Sequence, residues 1–369
     1  LMLFTTSAML LMAQGNNLIV LFLALEWLSI GLYVLAGFAY PKIRSEEAAM
    51  KYLLYGSFAA GFLIYGVALL YGATGTVSLP GIARALTSTS GLASNPLTLV
   101  GAAMILIGFS YKISIVPFHM WTPDVYEGSP TPVTAYMSAA TKVAGFAALL
   151  RVVQIALPPA LVPQVQLALA FLAALTMIVG NLAAVAQTNI KRMLAYSSVA
   201  HAGFIMVGLV AFSPGGTQAF LYYLLSYALT NLGAFAVVIA LENEGEERFA
   251  LSDLAGLGWR RPVMGAAMAI FMLSLAGVPP LAGFFAKFLV FTAAYQAGYW
   301  WLALIGLLTS VVSAFYYLRI IVNMYMRDSE TAPRTFATPL LRVGLVVSAL
   351  FVIVQGLLTY PVLQLVPLR

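Results

Sequence analysis

The sequence predicts an all-α, polytopic membrane helix bundle, and three observations carry that prediction. The chain is 62% hydrophobic, only 8% of its residues are charged, and its mean hydropathy is +0.96. Apolar runs long enough to cross a bilayer follow one another along the whole sequence. Only two of the connections between them, 73–96 and 242–261, are long, and neither could fold as a domain of its own. Soluble domains carry about 25% charged residues, so lipid must solvate most of this surface. The absence of cysteine excludes disulfides, iron–sulfur clusters and thiolate metal sites. The two histidines, His119 and His201, cannot make a metal site alone. The formal charge of +6 forms no basic stripe, so nucleic acid is not an expected partner.

A membrane-spanning helix needs about 20 apolar residues. Eleven such spans are read, at about 1–14, 17–40, 48–72, 97–118, 131–157, 162–186, 189–211, 217–241, 262–296, 299–326 and 340–365. The chain opens with Leu1 inside an apolar run, with no signal-peptide charge pattern before it; the expectation is a sequence that starts part-way into a longer protein. Pro130 and Pro132 serve to start a helix. Tyr and Trp near the span ends are expected to be interface anchors.

The loop charges set the orientation. Lys42, Arg44, Lys51, Lys191, Arg192, Arg248, Arg260, Arg261, Arg327, Arg334 and Arg342 fall on one side, with Arg319 near a helix end there. Arg84, Arg151 and Arg369 fall on the other. Positive loops stay inside, which puts the larger group in the cytoplasm and the C-terminus outside. Four ionisable residues are left deep in the apolar spans: Glu26, Lys112, Lys142 and Lys287.

Two of these lysines sit beside helix breakers. Lys112 precedes Pro117 on the fourth span, and Lys287 follows Pro279 and Pro280 on the ninth. Counted in fives, each is the fourth span of its group, giving two units at 1–157 and 162–326 and a final span within 327–369. An odd number of spans per unit inserts the second unit upside down. Corresponding interrupted spans in two inverted halves point to an ion pathway.

Snorkelling does not explain the lysines. Lys112 and Lys142 lie about 20 Å and 16 Å from their helix starts, and Lys287 about 13 Å from its helix end, further than a lysine stem reaches. Placing such a charge mid-bilayer costs about 2.5–3.5 kcal/mol on insertion scales. Burial disfavours a charged ammonium in general, so a lysine held this way can load and release a proton. Glu26 is the one intramembrane carboxylate able to act as partner. A helix break frees backbone groups that are tolerated only against protein or water, so a hydrated cavity is expected beside each break. His119 and His201 read equally as proton relays or as hydrogen-bonded packing residues.

The stretch "YKISIVPFHMWTPDVYEGSPTPVTAYMSAATKVAGFAALLR" at 111–151 resembles the core of the antiporter-like membrane subunits of respiratory complex I, the NADH-quinone oxidoreductase. "WTPDVYEGSPTP" favours the subunit N branch, and "LFLALEWLSIGLY", "NIKRMLAYSSVAHAGF" and "LSLAGVPPLAGFFAKF" agree. The resemblance implies a proton-translocating subunit in which Glu26 pairs with Lys112, Lys142 is central and Lys287 lies towards the exit. His201 falls where the family lines its axis with polar residues. It implies no cofactor in this chain, with flavin and iron–sulfur clusters in other subunits. The implied partners are the antiporter-like subunit M, the small subunits J and K, and membrane lipid, and the implied location is a bacterial inner membrane. Members typically have fourteen spans, so three leading helices are expected to be missing. A subunit of a multi-subunit cation/proton antiporter, or of a related ion-pumping dehydrogenase, is the alternative reading. An intramembrane enzyme using His119 with Asp124, and a purely structural linker of the membrane arm, are two further readings.

Overall fold

The computed structural model describes residues 1–242, 249–328 and 338–365; the loop charges Arg248, Arg334 and Arg369 and the position of the C-terminus fall outside them. The described residues are helical apart from two isolated β-bridges and connecting turns. The chain divides into two compact units, one of 1–130 with 140–168, the other of 131–139 with 169–369. The helices up to the division are α1 (Met2–Gln14), α2 (Leu18–Ala36), α3 (Ile43–Thr74), α4 (Leu79–Ser88), α5 (Pro96–Lys112), α6 (Trp121–Gly128), α7 (Thr131–Tyr136) and α8 (Lys142–Ala156). The remainder are α9 (Val162–Val185), α10 (Ile190–Val210), α11 (Pro214–Leu241), α12 (Leu257–Arg260), α13 (Pro262–Ala276), α14 (Ala282–Gln296), α15 (Trp300–Met326), α16 (Pro339–Leu357) and α17 (Thr359–Gln364).

Eight helical stretches are long and apolar enough to cross a membrane: Leu18–Ala36, Ile43–Thr74, Thr131–Ala156, Pro159–Val185, Ile190–Val210, Pro214–Leu241, Trp300–Met326 and Pro339–Leu357. The first, fourth and ninth predicted spans hold shorter apolar helices instead: Met2–Gln14, Pro96–Lys112 and Pro262–Ala276. For the fourth and ninth the reason is the break that follows. The span expected over 97–118 stops being helical at Lys112, and the one expected over 262–296 is two helices, α13 and α14. The 73–96 connection is also more ordered than its Gly, Ser and Thr content suggests, because it folds into the amphipathic α4.

The same local devices recur in both units. Asn17 caps α2 by accepting from the amides of Ile19 and Val20; Asn189 caps α10 by accepting from Lys191 and Arg192. Each cap is worth about 1 kcal/mol. Asn17 bridges to Ser78 and Asn189 to Ala250, and each pair is separated from its counterpart by 172 positions (189 − 17 and 250 − 78). In the first unit Arg151 of α8 donates to the Gly15 carbonyl and to Asn16, holding the turn between α1 and α2. In the second, Arg319 of α15 donates to the carbonyls of Val185 and Gln187, holding the turn between α9 and α10.

Both helix breaks also begin alike. After α5, the Ser114 amide donates to Tyr111 and the Ile115 amide to Ser110; after α13, the Gly277 amide donates to Ser274 and the Val278 amide to Leu273. This is the Schellman arrangement, with the residue after the cap in the left-handed region. Gly277 adopts φ 91° and Ser114 φ 64°. Glycine does this without steric cost; serine is held there by a hydrogen bond from Thr122 Oγ1 to its Oγ at 2.9 Å.

Candidate functional site

The candidate site in the first unit is built around the end of α5. Lys112 is its last residue and only 2% exposed. Its ammonium donates to Ser29 Oγ of α2 at 2.8 Å and to the Tyr52 hydroxyl of α3 at 3.3 Å. Glu26, expected to pair with Lys112, stands one turn before Ser29 with its Oε1 without a hydrogen-bond partner, and the ammonium's hydrogen bonds go to Ser29 and Tyr52. Tyr52 is itself fixed by stacking on Trp121, with ring centroids 4.6 Å apart. Trp121 Nε1 donates to the Tyr111 carbonyl at 2.9 Å, which also accepts from the Ser114 amide in the break. Trp121 is therefore a buried strut of the site and not the interface anchor its place near a span end suggests.

Lys142 is 1% exposed and begins α8, directly after a π-helical turn at Met137–Thr141. Such turns recur at functional sites because they re-aim the side chains that follow. One turn further on, Gly145 lies against Ile113 and the aliphatic stem of Lys112, so α8 approaches the first break closely at this point. The sequence places His119 in the same break, where it is half-buried and its Nδ1 has no hydrogen-bond partner. Asp124 of α6 binds Lys51 of α3 at 2.8 Å, and Lys51 also holds Glu47 at 2.8 Å. His119 and Asp124 thus do not form the pair an intramembrane enzyme would need. The Lys51–Asp124 pair is about one-third exposed on each side, so Asp124→Asn is expected to cost about 1 kcal/mol or less, measurable as a shift of only a few degrees in thermal unfolding.

The second unit repeats the arrangement with the lysine on the other side of the break. Lys287 of α14 is 5% exposed, and its ammonium donates to the Ala276 carbonyl, the last of α13, at 3.0 Å. It also lies over the Phe204 ring, 4.8 Å from the centroid. Lys112, the last residue of α5, thus sends its ammonium to hydroxyls of α2 and α3, whereas Lys287 places its ammonium at the carbonyl end of α13. Four orphan carbonyls and the negative end of the helix dipole gather there.

His201 of α10 is buried between two phenols: Nδ1 lies 2.9 Å from the Tyr223 hydroxyl and Nε2 3.0 Å from the Tyr317 hydroxyl. Its place is that of a hydrogen-bonded group inside the second unit. Lys191, counted from sequence as a cytoplasmic loop charge, is buried as well, 2% exposed, with its ammonium 4.7 Å from the Phe249 ring centroid. It was hidden by its place at a span end, where positive charge is ordinary. Among the described residues no group of three or more His, Asp or Glu side chains could hold a metal ion.

Residues 15–313 match the family described as "NADH:quinone oxidoreductase/Mrp antiporter, TM". NADH-quinone oxidoreductase subunit N 1 of Herpetosiphon aurantiacus is 56% identical over 363 residues, covering 97% of this chain and 74% of that protein. The chain belongs to the subunit N family of NADH-quinone oxidoreductases. A chain of respiratory complex I from Thermus thermophilus, determined with bound aureothin, superposes with a TM-score of 0.85 at 42% identity, covering 98% of this chain and 78% of that one. The fold reaches further: the Mrp complex of Dietzia sp. DQ12-45-1b has a chain with a TM-score of 0.87 at 22% identity, covering 98% of this chain and 75% of its own. The chain spans about three quarters of the length of these relatives.

Proposed function

We propose that the chain is the proton-translocating, non-redox membrane subunit of a proton-pumping NADH:quinone oxidoreductase. The observation that carries this reading is the pair of buried ammonium groups beside helix breaks: Lys112, the last residue of α5, held by the Ser29 and Tyr52 hydroxyls, and Lys287, held by the last carbonyl of α13. A proton is taken up from the cytoplasmic side near Lys112 and Glu26, passes by way of Lys142, and leaves by Lys287, with His201 and His119 as relays. Lysine suits the task because its proton is exchangeable, while the site supplies neutral oxygens that hold the charged form without fixing it. Quinone reduction elsewhere in the complex drives the movement. The chain then needs no cofactor, and flavin and iron–sulfur clusters reside in other subunits. Its neighbours are other complex I membrane-arm subunits, among them the antiporter-like subunit M and the small subunits J and K. It is an integral membrane protein of the bacterial inner membrane, with its C-terminus on the outer side by the loop-charge rule.

The fold shared with the Mrp complex keeps one second reading in view, a cation/proton antiporter subunit. Affinity purification of the chain from its native membrane separates the two. Copurifying redox subunits and NADH-driven, sodium-independent proton pumping are expected. Sodium-dependent proton flux with no redox subunits attached would overturn the complex I reading.

A further inference from the structure

The second unit contains a chain of buried hydroxyl and imidazole groups that the lysine sites do not account for. Ser197 and His201 are one turn apart on α10, Tyr223 faces His201 from α11, and Tyr317 faces both from α15. Ser197 Oγ lies 2.5 Å from the Tyr317 hydroxyl, which lies 3.0 Å from His201 Nε2; His201 Nδ1 lies 2.9 Å from the Tyr223 hydroxyl. All four side chains are buried. A neutral imidazole donates from one ring nitrogen and accepts at the other. Hydroxyls on both nitrogens therefore allow two ordered arrangements of the chain, differing only in the direction of every hydrogen bond.

We propose that Tyr317 and Tyr223 are proton-relay residues, joined with Ser197 through His201 into one hydrogen-bonded path within the second unit. This deepens the proposed function and rests on it. A proton arriving at Ser197 displaces the Ser197 hydroxyl proton to Tyr317, the Tyr317 proton to His201 Nε2, and the Nδ1 proton to Tyr223, which releases its own. One proton enters, one leaves, and no electron moves. Rotation of the three hydroxyls and a tautomer change at His201 restore the first arrangement. With about 1.5 Å rise per residue, Ser197 lies about 6 Å nearer the α10 start than His201, so the path has a component along the membrane normal. Tyr223, Tyr227 and Asn231 recur every fourth residue on α11 and so share one face. Asn231 on that stripe is buried, with neither amide atom hydrogen-bonded. It is the polar group able to order a transferable water towards the Ser197 end.

The test uses the assembled oxidoreductase in vesicles, read as protons pumped per electron. Tyr317→Phe and Tyr223→Phe keep the rings and remove the relay hydroxyls. Tyr222→Phe is the matched control, since the buried Tyr222 hydroxyl donates to the Gln355 carbonyl, outside the chain of groups. Each phenol variant is expected to lose as many protons per electron as Lys287→Ala while electron transfer from NADH to quinone continues, and Tyr222→Phe to pump at the parental ratio. A full ratio in Tyr317→Phe or Tyr223→Phe, with Lys287→Ala impaired, overturns the relay and leaves the proposed function standing. An equal loss in Tyr222→Phe shows a packing effect and overturns the relay too. A full ratio in Lys287→Ala overturns the proposed function itself. If Tyr317→Phe does not assemble, Tyr223→Phe decides the matter from the other side of His201.

Discussion

Replacing Lys112 with alanine is expected to slow proton transfer through the chain by about 100-fold or more, the usual contribution of a positioned acid–base group. The ammonium is the donor to Ser29 Oγ and to the Tyr52 hydroxyl, and alanine leaves both hydroxyls without it and the site without an exchangeable proton. Arginine is expected to rescue little. It keeps the charge, but a guanidinium does not give up its proton, and its planar fork does not fit a pocket shaped by one serine and one stacked tyrosine. Proton uptake by vesicles holding the variant complexes, driven by NADH, measures both. Fast pumping in Lys112→Arg would show that the site acts as a fixed charge and not as a carrier.

Gly277→Ala is expected to have the second large effect. At φ 91° an alanine pays about 1–2 kcal/mol in the left-handed region. Its Cβ would also stand 3.2 Å from Lys287 Cδ, so the lysine stem that carries the ammonium must shift by a few tenths of an ångström. The variant is therefore expected to lower both thermal stability and pumping, whereas Gly215→Ala, where no atom lies within 4 Å, should leave pumping unchanged. Thermal unfolding of the purified complex, followed beside the pumping ratio, separates the two consequences.

The lysines were legible in the sequence because a charge in an apolar run is costly and has few structural uses. Pro117, Pro279 and Pro280 marked the breaks for a similar reason. What sequence could not show was where each helix stops. The first ends at Lys112, five residues before Pro117, because Ser114 turns left-handed, a conformation serine does not advertise. The second break keeps a glycine at that place and is readable. The two lysines also fall on opposite sides of their breaks, and folding gives their ammonium groups different partners, two hydroxyls for Lys112 and the Ala276 carbonyl for Lys287. Tyr52, Tyr223 and Tyr317 escaped notice because tyrosine in a membrane helix ordinarily packs or anchors. Lys191 escaped because its position beside a cap is one where lysine is ordinarily solvated. Glu26 was expected to pair with Lys112, and Ser29, one helical turn away, takes that contact.

The central claim is that this chain carries protons through its buried lysines, and Lys142→Ala tests it most directly. Lys142 is 1% exposed, follows the π-helical turn, and stands on the helix that packs against the first break. The measurement is protons pumped per electron in the reconstituted oxidoreductase, with electron transfer followed in the same vesicles. A lowered ratio at retained electron transfer is the expected result; an unchanged ratio would contradict the claim.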